Sequence, residues 1–257
     1  MLVAVGQRLH SKSVAMLGSI EGGLPRMMKW WLIAALLAST LRIVFSPLHG
    51  HMPAVGTLLP YVLLVLAPAA SMALALRWFA DGDRQPQPVT RLARIGRWRQ
   101  VSADEARSHP LYGTTGLMVS LLVGMLLNVP VRALEYLTTM PALAGPVPAW
   151  LTVLHTMMTI DVVILTSLYT IAFVAALRKV PLFPRLLVAI WMVDLAMQLM
   201  IAQTVAATPG LPLKIGALLL QFLDGNVHKV LISVAVWLPY LLMSRRLNVT
   251  FRHRVPA

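Results

Sequence analysis

Apolar residues run almost unbroken through six stretches of this chain, at residues 27–45, 58–80, 114–137, 150–177, 186–207 and 227–243. Between them lie short segments in which Arg, Lys, Pro and Gly collect. A helix advances about 1.5 Å per residue, so roughly 20 mostly apolar residues cover a hydrocarbon core about 30 Å thick. The pattern predicts an all-α, polytopic integral membrane protein with six transmembrane helices. The sixth run is short, but residues 211–223 before it are also apolar. That span therefore tilts, lengthens, or follows a helix lying on the outer surface.

Positive charge alternates from side to side of these spans. Arg8, Lys12, Arg26 and Lys29 precede the first; Arg77, Arg84, Arg91, Arg94, Arg97, Arg99 and Arg107 lie around the second loop; Arg178, Lys179 and Arg185 mark the fourth; and Arg245, Arg246, Arg252 and Arg254 follow the sixth. All but four of the 22 Lys and Arg are in these groups. Short loops rich in Lys and Arg stay in the cytoplasm, so both termini are expected there. Trp30, Trp31, Trp78, Trp237 and Tyr240 map to the inner interface, and Phe45, Tyr136 and Trp150 to the outer.

Composition agrees with this reading. Of 257 residues, 58% are hydrophobic and 12% charged, about half the charged share of a soluble domain. The net charge of +13 would suit nucleic acid only if the cations gathered on one folded face; their distribution over alternate loops argues for a bilayer with anionic lipids at its cytoplasmic face instead. Cysteine is absent, which excludes disulfides, thiolate metal sites and a cysteine nucleophile.

Four units follow. Residues 1–26 form a cytoplasmic segment in which Leu2, Val5, Leu9, Met16 and Ile20 recur at helical spacing; an amphipathic helix on the inner leaflet and a disordered tail are both open readings. No cleavable leader is expected, since residues 1–24 lack a continuous apolar core. Residues 27–80 are a two-helix unit, 81–110 a basic loop, and 111–257 a four-helix unit with a basic tail. Within the loop, Ser102-Ala-Asp-Glu105 matches a capping box and predicts a short helix ahead of the third span.

In the back unit, Trp237-Leu-Pro-Tyr240 is followed by Ser244-Arg-Arg246 and Thr250-Phe251, Phe183-Pro-Arg185 opens the fifth span, Pro130 and Arg132 lie in the third, and Asp224 precedes the last. Over about residues 110–254 this resembles the YdgK-like family of uncharacterised bacterial inner-membrane proteins, usually built from four helices; Leu117 stands where that family usually has Trp. The resemblance implies a fold and a location rather than a reaction. On physical grounds alone, Arg245, Arg246, Arg252 and Arg254 read as anchors at an anionic surface.

Helices in lipid associate through close packing and polar contacts rather than hydrophobic burial. Gly116, Ser120, Gly124, Asn128 and Arg132 recur every fourth residue, a stripe expected to let another helix approach. Ionisable groups near the midplane each cost about 2.5–3.5 kcal/mol on insertion scales and normally face a partner or water. Asp161 and Asp194 are the most central; Arg42, Arg132, Glu135, His155, Asp224, His228 and Lys229 map to the outer half, and Gln198 shares a face with Asp194. Two readings follow. Arg132, Glu135, His155, Asp161, Asp194, Gln198, Asp224, His228 and Lys229 converge on a polar pocket with the two central aspartates at its floor; or the outer ones only reach the interface while Asp161 and Asp194 are structural.

No catalytic motif, phosphate loop or dinucleotide fingerprint occurs, and no cofactor or metal is expected. His49-Gly-His51 reads as a solvated turn, and His155 with His228 as too sparse for haem ligation. The expectation is a non-enzymatic accessory or scaffold protein packing against another membrane protein or a second copy, with a small-solute or ion transporter as the alternative.

Overall fold

The computed structural model describes residues 2–46, 55–89 and 96–257, with side chains from residue 11 onward; His49-Gly-His51, Arg91 and Arg94 lie outside the described residues. The described residues form eight α-helices, one 3₁₀ turn and two short strands. In chain order these are α1 (Leu2–Val44), α2 (Val55–Trp78), the 3₁₀ turn (Gly82–Arg84), β1 (Trp98–Gln100), α3 (Ala103–Ser108), α4 (Leu117–Thr139), α5 (Ala149–Leu177), α6 (Phe183–Ala206), α7 (Leu213–Met243), α8 (Arg245–Arg252) and β2 (Arg254–Pro256). Six of them, α1, α2, α4, α5, α6 and α7, are long and apolar enough to cross a membrane. With no water in a hydrocarbon core, helices alone let such segments satisfy their own backbone.

The first span runs on past its expected start, and the last takes the longer of its expected forms. The first span has no break at residue 26: α1 continues through Pro25, and Ile20 and Leu24 are buried in the core. Packing on neighbours outweighs the single hydrogen bond that Pro25 removes. The last span is not short. Residues 211–223 largely join it as one helix of 31 residues, because nothing between Leu213 and Met243 except Pro239 interrupts helical geometry.

Helix α5 is the hub. It packs against α2, α4 and α6, while α1 lies on α2 and α4, and α7 on α6. The sequence of α5 suits that place: Ala172, Ala175 and Ala176 are fully buried, so neighbouring backbones come close. Thr166 and Thr170 donate their hydroxyls to the carbonyls of Val162 (2.6 Å) and Thr166 (2.7 Å) and ask nothing of the neighbours. Proline 184 sits in the first turn of α6, where its missing N–H costs nothing.

The basic end of the bundle is closed by the chain's own tail. β2 pairs antiparallel with β1, matching Trp98 with Pro256, Arg99 with Val255 and Gln100 with Arg254. Thr250 Oγ1 accepts from Gly113 N (3.0 Å) and donates to Gly113 O (3.3 Å), Arg246 donates to Leu111 O (3.3 Å), and Phe251 meets Phe183 with ring centroids 5.1 Å apart. Ser13 Oγ accepts from Gly116 N at 3.0 Å, pinning α1 to the start of α4. At Gly82 the packing is tightest, since a Cβ there would lie 2.6 Å from Arg178 O. Ser102 caps α3 by accepting from Glu105 N at 3.1 Å, but Glu105 gives its carboxylate to Arg99 (2.6 Å) instead of closing a full box.

The tail therefore corrects the reading of one of its arginines, Arg252, as a lipid anchor. Arg245 is exposed. Arg252 is buried, donating to Leu241 O at 2.7 Å and to Asn248 Oδ1 at 3.1 Å. Burial, with Arg254 nearby, pushes its guanidinium down to about 10, which leaves it cationic at neutral pH. Arg246 and Arg252 thus bind the protein to itself. Phe251→Ala should cost about 3–5 kcal/mol, read as a lowered unfolding midpoint of the detergent-solubilised chain, whereas Arg245→Ala should leave the midpoint nearly unchanged.

Candidate functional site

Three of the spans carry a charged side chain on the same inner surface of the bundle. Arg132 of α4 donates through Nη1 to Asp161 Oδ2 of α5 at 3.4 Å, through Nη2 to Asp194 Oδ2 of α6, and through Nε to Asn128 Oδ1 at 3.0 Å. Tyr169, on the face of α5 that holds Asp161, donates to Asp194 Oδ2 at 3.2 Å, and its ring lies 5.8 Å from the guanidinium carbon. Asp161 is 6% exposed and Asp194 0%. One cation is thereby shared by two carboxylates near the middle of the bundle.

The polar contacts continue outward. Gln198 Nε2 donates to Asp161 Oδ1 (3.3 Å), Asn226 Nδ2 of α7 donates to Gln198 Oε1 (3.4 Å), and Lys229 Nζ donates to Asn226 Oδ1 (3.2 Å) and to Glu135 Oε1. The result is one connected chain from Asp194 to the Glu135–Lys229 pair at the rim. Arg132, Glu135, Asp194, Asn226 and Lys229 of this chain, with Tyr169, line a cavity of about 60 Å³ between α4 and α7, whereas Asp161 and Gln198 lie outside its lining. Space on that scale admits one or two waters.

Charge counting gives the site its chemistry. Glu135 pairs with Lys229, which leaves two carboxyl groups, those of Asp161 and Asp194, to the one guanidinium of Arg132. Asp194 Oδ1 is buried without a hydrogen-bond partner. A buried charge left uncompensated is costly, so this arrangement favours a further positive charge on or beside the aspartates. No residue in it is positioned as an activated nucleophile, and among the described residues no group of three or more His, Cys, Asp or Glu is placed to hold a metal ion.

The structure does not bring every sequence candidate together. Asp224 and His228 are exposed on α7 and face each other at 3.4 Å, outside the cavity. One turn separates them along the helix, and that turn points them past the α4–α7 seam. His155 is buried elsewhere, against Tyr136 Oη at 3.3 Å, beside the Tyr136–Thr159 hydrogen bond of 2.8 Å; Tyr136 is accordingly a core residue and not an interface anchor. Along the small-residue stripe, Gly116 caps α4 with φ +70°, a left-handed conformation that glycine adopts without strain, and Ser120 and Gly124 are exposed with open space beside Gly124. Asn128 and Arg132 of that set turn inward.

Tyr169 and Asn226 were missed in the sequence. Tyr169 lies eight residues after Asp161 and Asn226 three before Lys229, spacings that share a helix face, but neither carries charge to draw notice. No protein-family model, curated protein or solved structure matches the chain.

Gln198→Leu should leave Asp161 Oδ1 and Asn226 Nδ2 without their Gln198 partner and cost about 1–3 kcal/mol. Asp224→Asn and His228→Gln should each shift stability by less than about 1 kcal/mol. Denaturant titration of the purified protein distinguishes the two groups.

Proposed function

We propose that this chain is a non-enzymatic, ion-binding membrane protein of the carrier type, taking up one proton at the Arg132–Asp161–Asp194 cluster. The observation that carries the reading is the unpartnered, fully buried Asp194 Oδ1 beside a second carboxylate on the same guanidinium. A small cavity with a continuous run of polar side chains to the rim suits a proton better than a metabolite, because a proton needs only relays of donors and acceptors. Intramembrane carboxylates of this sort serve proton pathways in pumps and transporters. The setting proposed is a bacterial inner membrane with both termini cytoplasmic, and the likeness of residues 110–254 to the YdgK-like family forms part of the same proposal.

Flux through proteoliposomes tests it. With an entrapped pH-sensitive dye and an imposed pH gradient, the wild-type chain should conduct protons well above protein-free vesicles, alone or with a co-supplied solute. Asp194→Asn should lower that flux by roughly tenfold or more, equivalent to about 1.4 kcal/mol, at equal reconstituted amount. Wild-type flux equal to that of empty vesicles, or an unchanged Asp194→Asn, contradicts the proposal.

A second reading rests on a separate observation. The exposed Ser120 and Gly124 face of α4 leaves room for another helix, as an accessory subunit or a second copy would supply. The chain has no native cysteine, so Gly124→Cys gives a clean cross-linking probe. A homo-oligomer at this face gives a disulfide-linked dimer in native membranes; a monomeric product with no cross-linked species removes that form of the reading.

A further inference from the structure

A polar recess of about 360 Å³ lies at the basic end of the bundle, where α1, the 3₁₀ turn after α2 and the turn between α5 and α6 meet. Its walls hold Glu21, Asp83, Arg178 and Lys179, with Leu24 and Leu177 beside them. These walls are firmly set. A Cβ at Gly82 would lie 2.6 Å from Arg178 O and 2.7 Å from Val180 Cγ2, so glycine is what lets the 3₁₀ turn bring Asp83 up to the turn that carries Arg178 and Lys179.

That second turn is built against its own sequence. The N–H of Lys179 donates to Ala176 O (3.1 Å) and that of Val180 to Ala175 O (2.8 Å), the paired bonds with which a helix ends on a left-handed residue, a place that glycine usually takes. Here Lys179 takes it, at φ +56°, where a Cβ crowds the backbone. Strain of this kind persists where the surroundings enforce it, and it gathers at functional sites. Lys179 gains a fixed position in return: it is half-buried, with its ammonium 5.4 Å from the centre of the Tyr112 ring.

The charges bordering the recess are balanced. Asp83 accepts from Arg107 Nε through Oδ2 (3.2 Å), and Arg107, which is not part of the walls, also donates to Asp104 (2.9 Å). Among the described residues Glu21, Arg178 and Lys179 form no ion pair. Two cations and two carboxylates therefore border one space. A lone anion would meet Glu21 and Asp83, and a lone cation would meet Arg178 and Lys179. A small molecule bearing both charges suits all four, and the volume falls within the roughly 300–1,000 Å³ usual for small-ligand sites.

We infer that this recess binds a small zwitterion, a primary ammonium joined to a phosphate or carboxylate, with Arg178 and Lys179 taking its anionic end and Glu21 and Asp83 its ammonium. A free amino acid or phosphoethanolamine carries that chemistry, and so does the headgroup of an ethanolamine phospholipid. The site is independent of the ion-binding cluster, with which it shares no lining residue.

Calorimetric titration of the full chain in mild detergent with phosphoethanolamine, L-alanine, ethanolamine and inorganic phosphate tests the inference. A zwitterion should bind wild type roughly tenfold or more tighter than ethanolamine or phosphate alone. Native mass spectrometry with phosphatidylethanolamine against phosphatidylcholine, whose quaternary ammonium offers no N–H, separates the sources: preferential retention of the former assigns the lipid headgroup, and equal retention beside binding of a free zwitterion assigns a soluble ligand. Lys179→Gly, which removes the ammonium but suits the left-handed backbone, should weaken the preferred ligand roughly tenfold while the unfolding midpoint stays near or above wild type. Glu21→Gln, at an exposed position, should weaken the same ligand without weakening phosphate. Wild type that prefers neither a zwitterion over ethanolamine and phosphate nor phosphatidylethanolamine over phosphatidylcholine overturns the inference, as does undiminished binding in a folded Lys179→Gly protein.

Discussion

The constraint on which this molecule turns is the sharing of one guanidinium by two carboxylates inside a bundle of apolar helices. Three charges near the midplane of a bilayer would each be costly alone. Together they are tolerable only if held in hydrogen-bonding register, and that register requires α4, α5 and α6 to present Arg132, Asp161 and Asp194 at one height. The pairing therefore fixes the rotation and depth of three helices at once, in a solvent that offers little other basis for choosing between alternative rotations. It also leaves two carboxyl groups to one guanidinium, the inequality on which the proposed proton uptake rests.

The rest of the fold supports that register. Helix α5 touches α2, α4 and α6, and its buried alanines set close interhelical distances at the basic end. The tail then fastens that end, with β2 on β1, Thr250 on Gly113 and Phe251 on Phe183. At the other end Arg42 donates to Met140 O and Thr57 to Leu143 O, so the loop after α4 is gripped by α1 and α2. By contrast α7 lies mainly against α6, and its contact with α4 consists largely of the polar rim formed by Lys229 and Glu135. The cavity opens along this seam between α4 and α7.

Much of this was legible in the amino-acid order. Span number follows from the length of apolar runs, because hydrophobic thickness sets a minimum that any crossing helix must meet. Arg132, Glu135, Asp161, Asp194, Gln198 and Lys229 were visible as a set because ionisable or amide groups stand out against an apolar background. What periodicity could not supply was rotation. Asp224 and His228 differ from Lys229 by a few residues, yet rotations of about 140° and about 100° around α7 send them to the exterior. Ser120 and Gly124 share a stripe with Asn128, yet the face they occupy is left uncovered. Arg252 misled for another reason: arginines after a last span ordinarily meet headgroups, and only the fold of the tail reveals that Arg252 is buried, bonded to Leu241 O and Asn248 Oδ1.

The most direct test of the shared guanidinium is a double-mutant cycle at Arg132 and Asp194, measured by denaturant unfolding of the purified protein. Arg132→Met leaves two buried carboxylates without a cation and should cost about 3–5 kcal/mol, whereas Asp194→Asn leaves a balanced Arg132–Asp161 pair and should be tolerated. Combining the two should recover part of the Arg132→Met loss, with a coupling of about 0.5–3 kcal/mol. Losses that simply add, or an Asp194→Asn protein as unstable as Arg132→Met, would contradict the account.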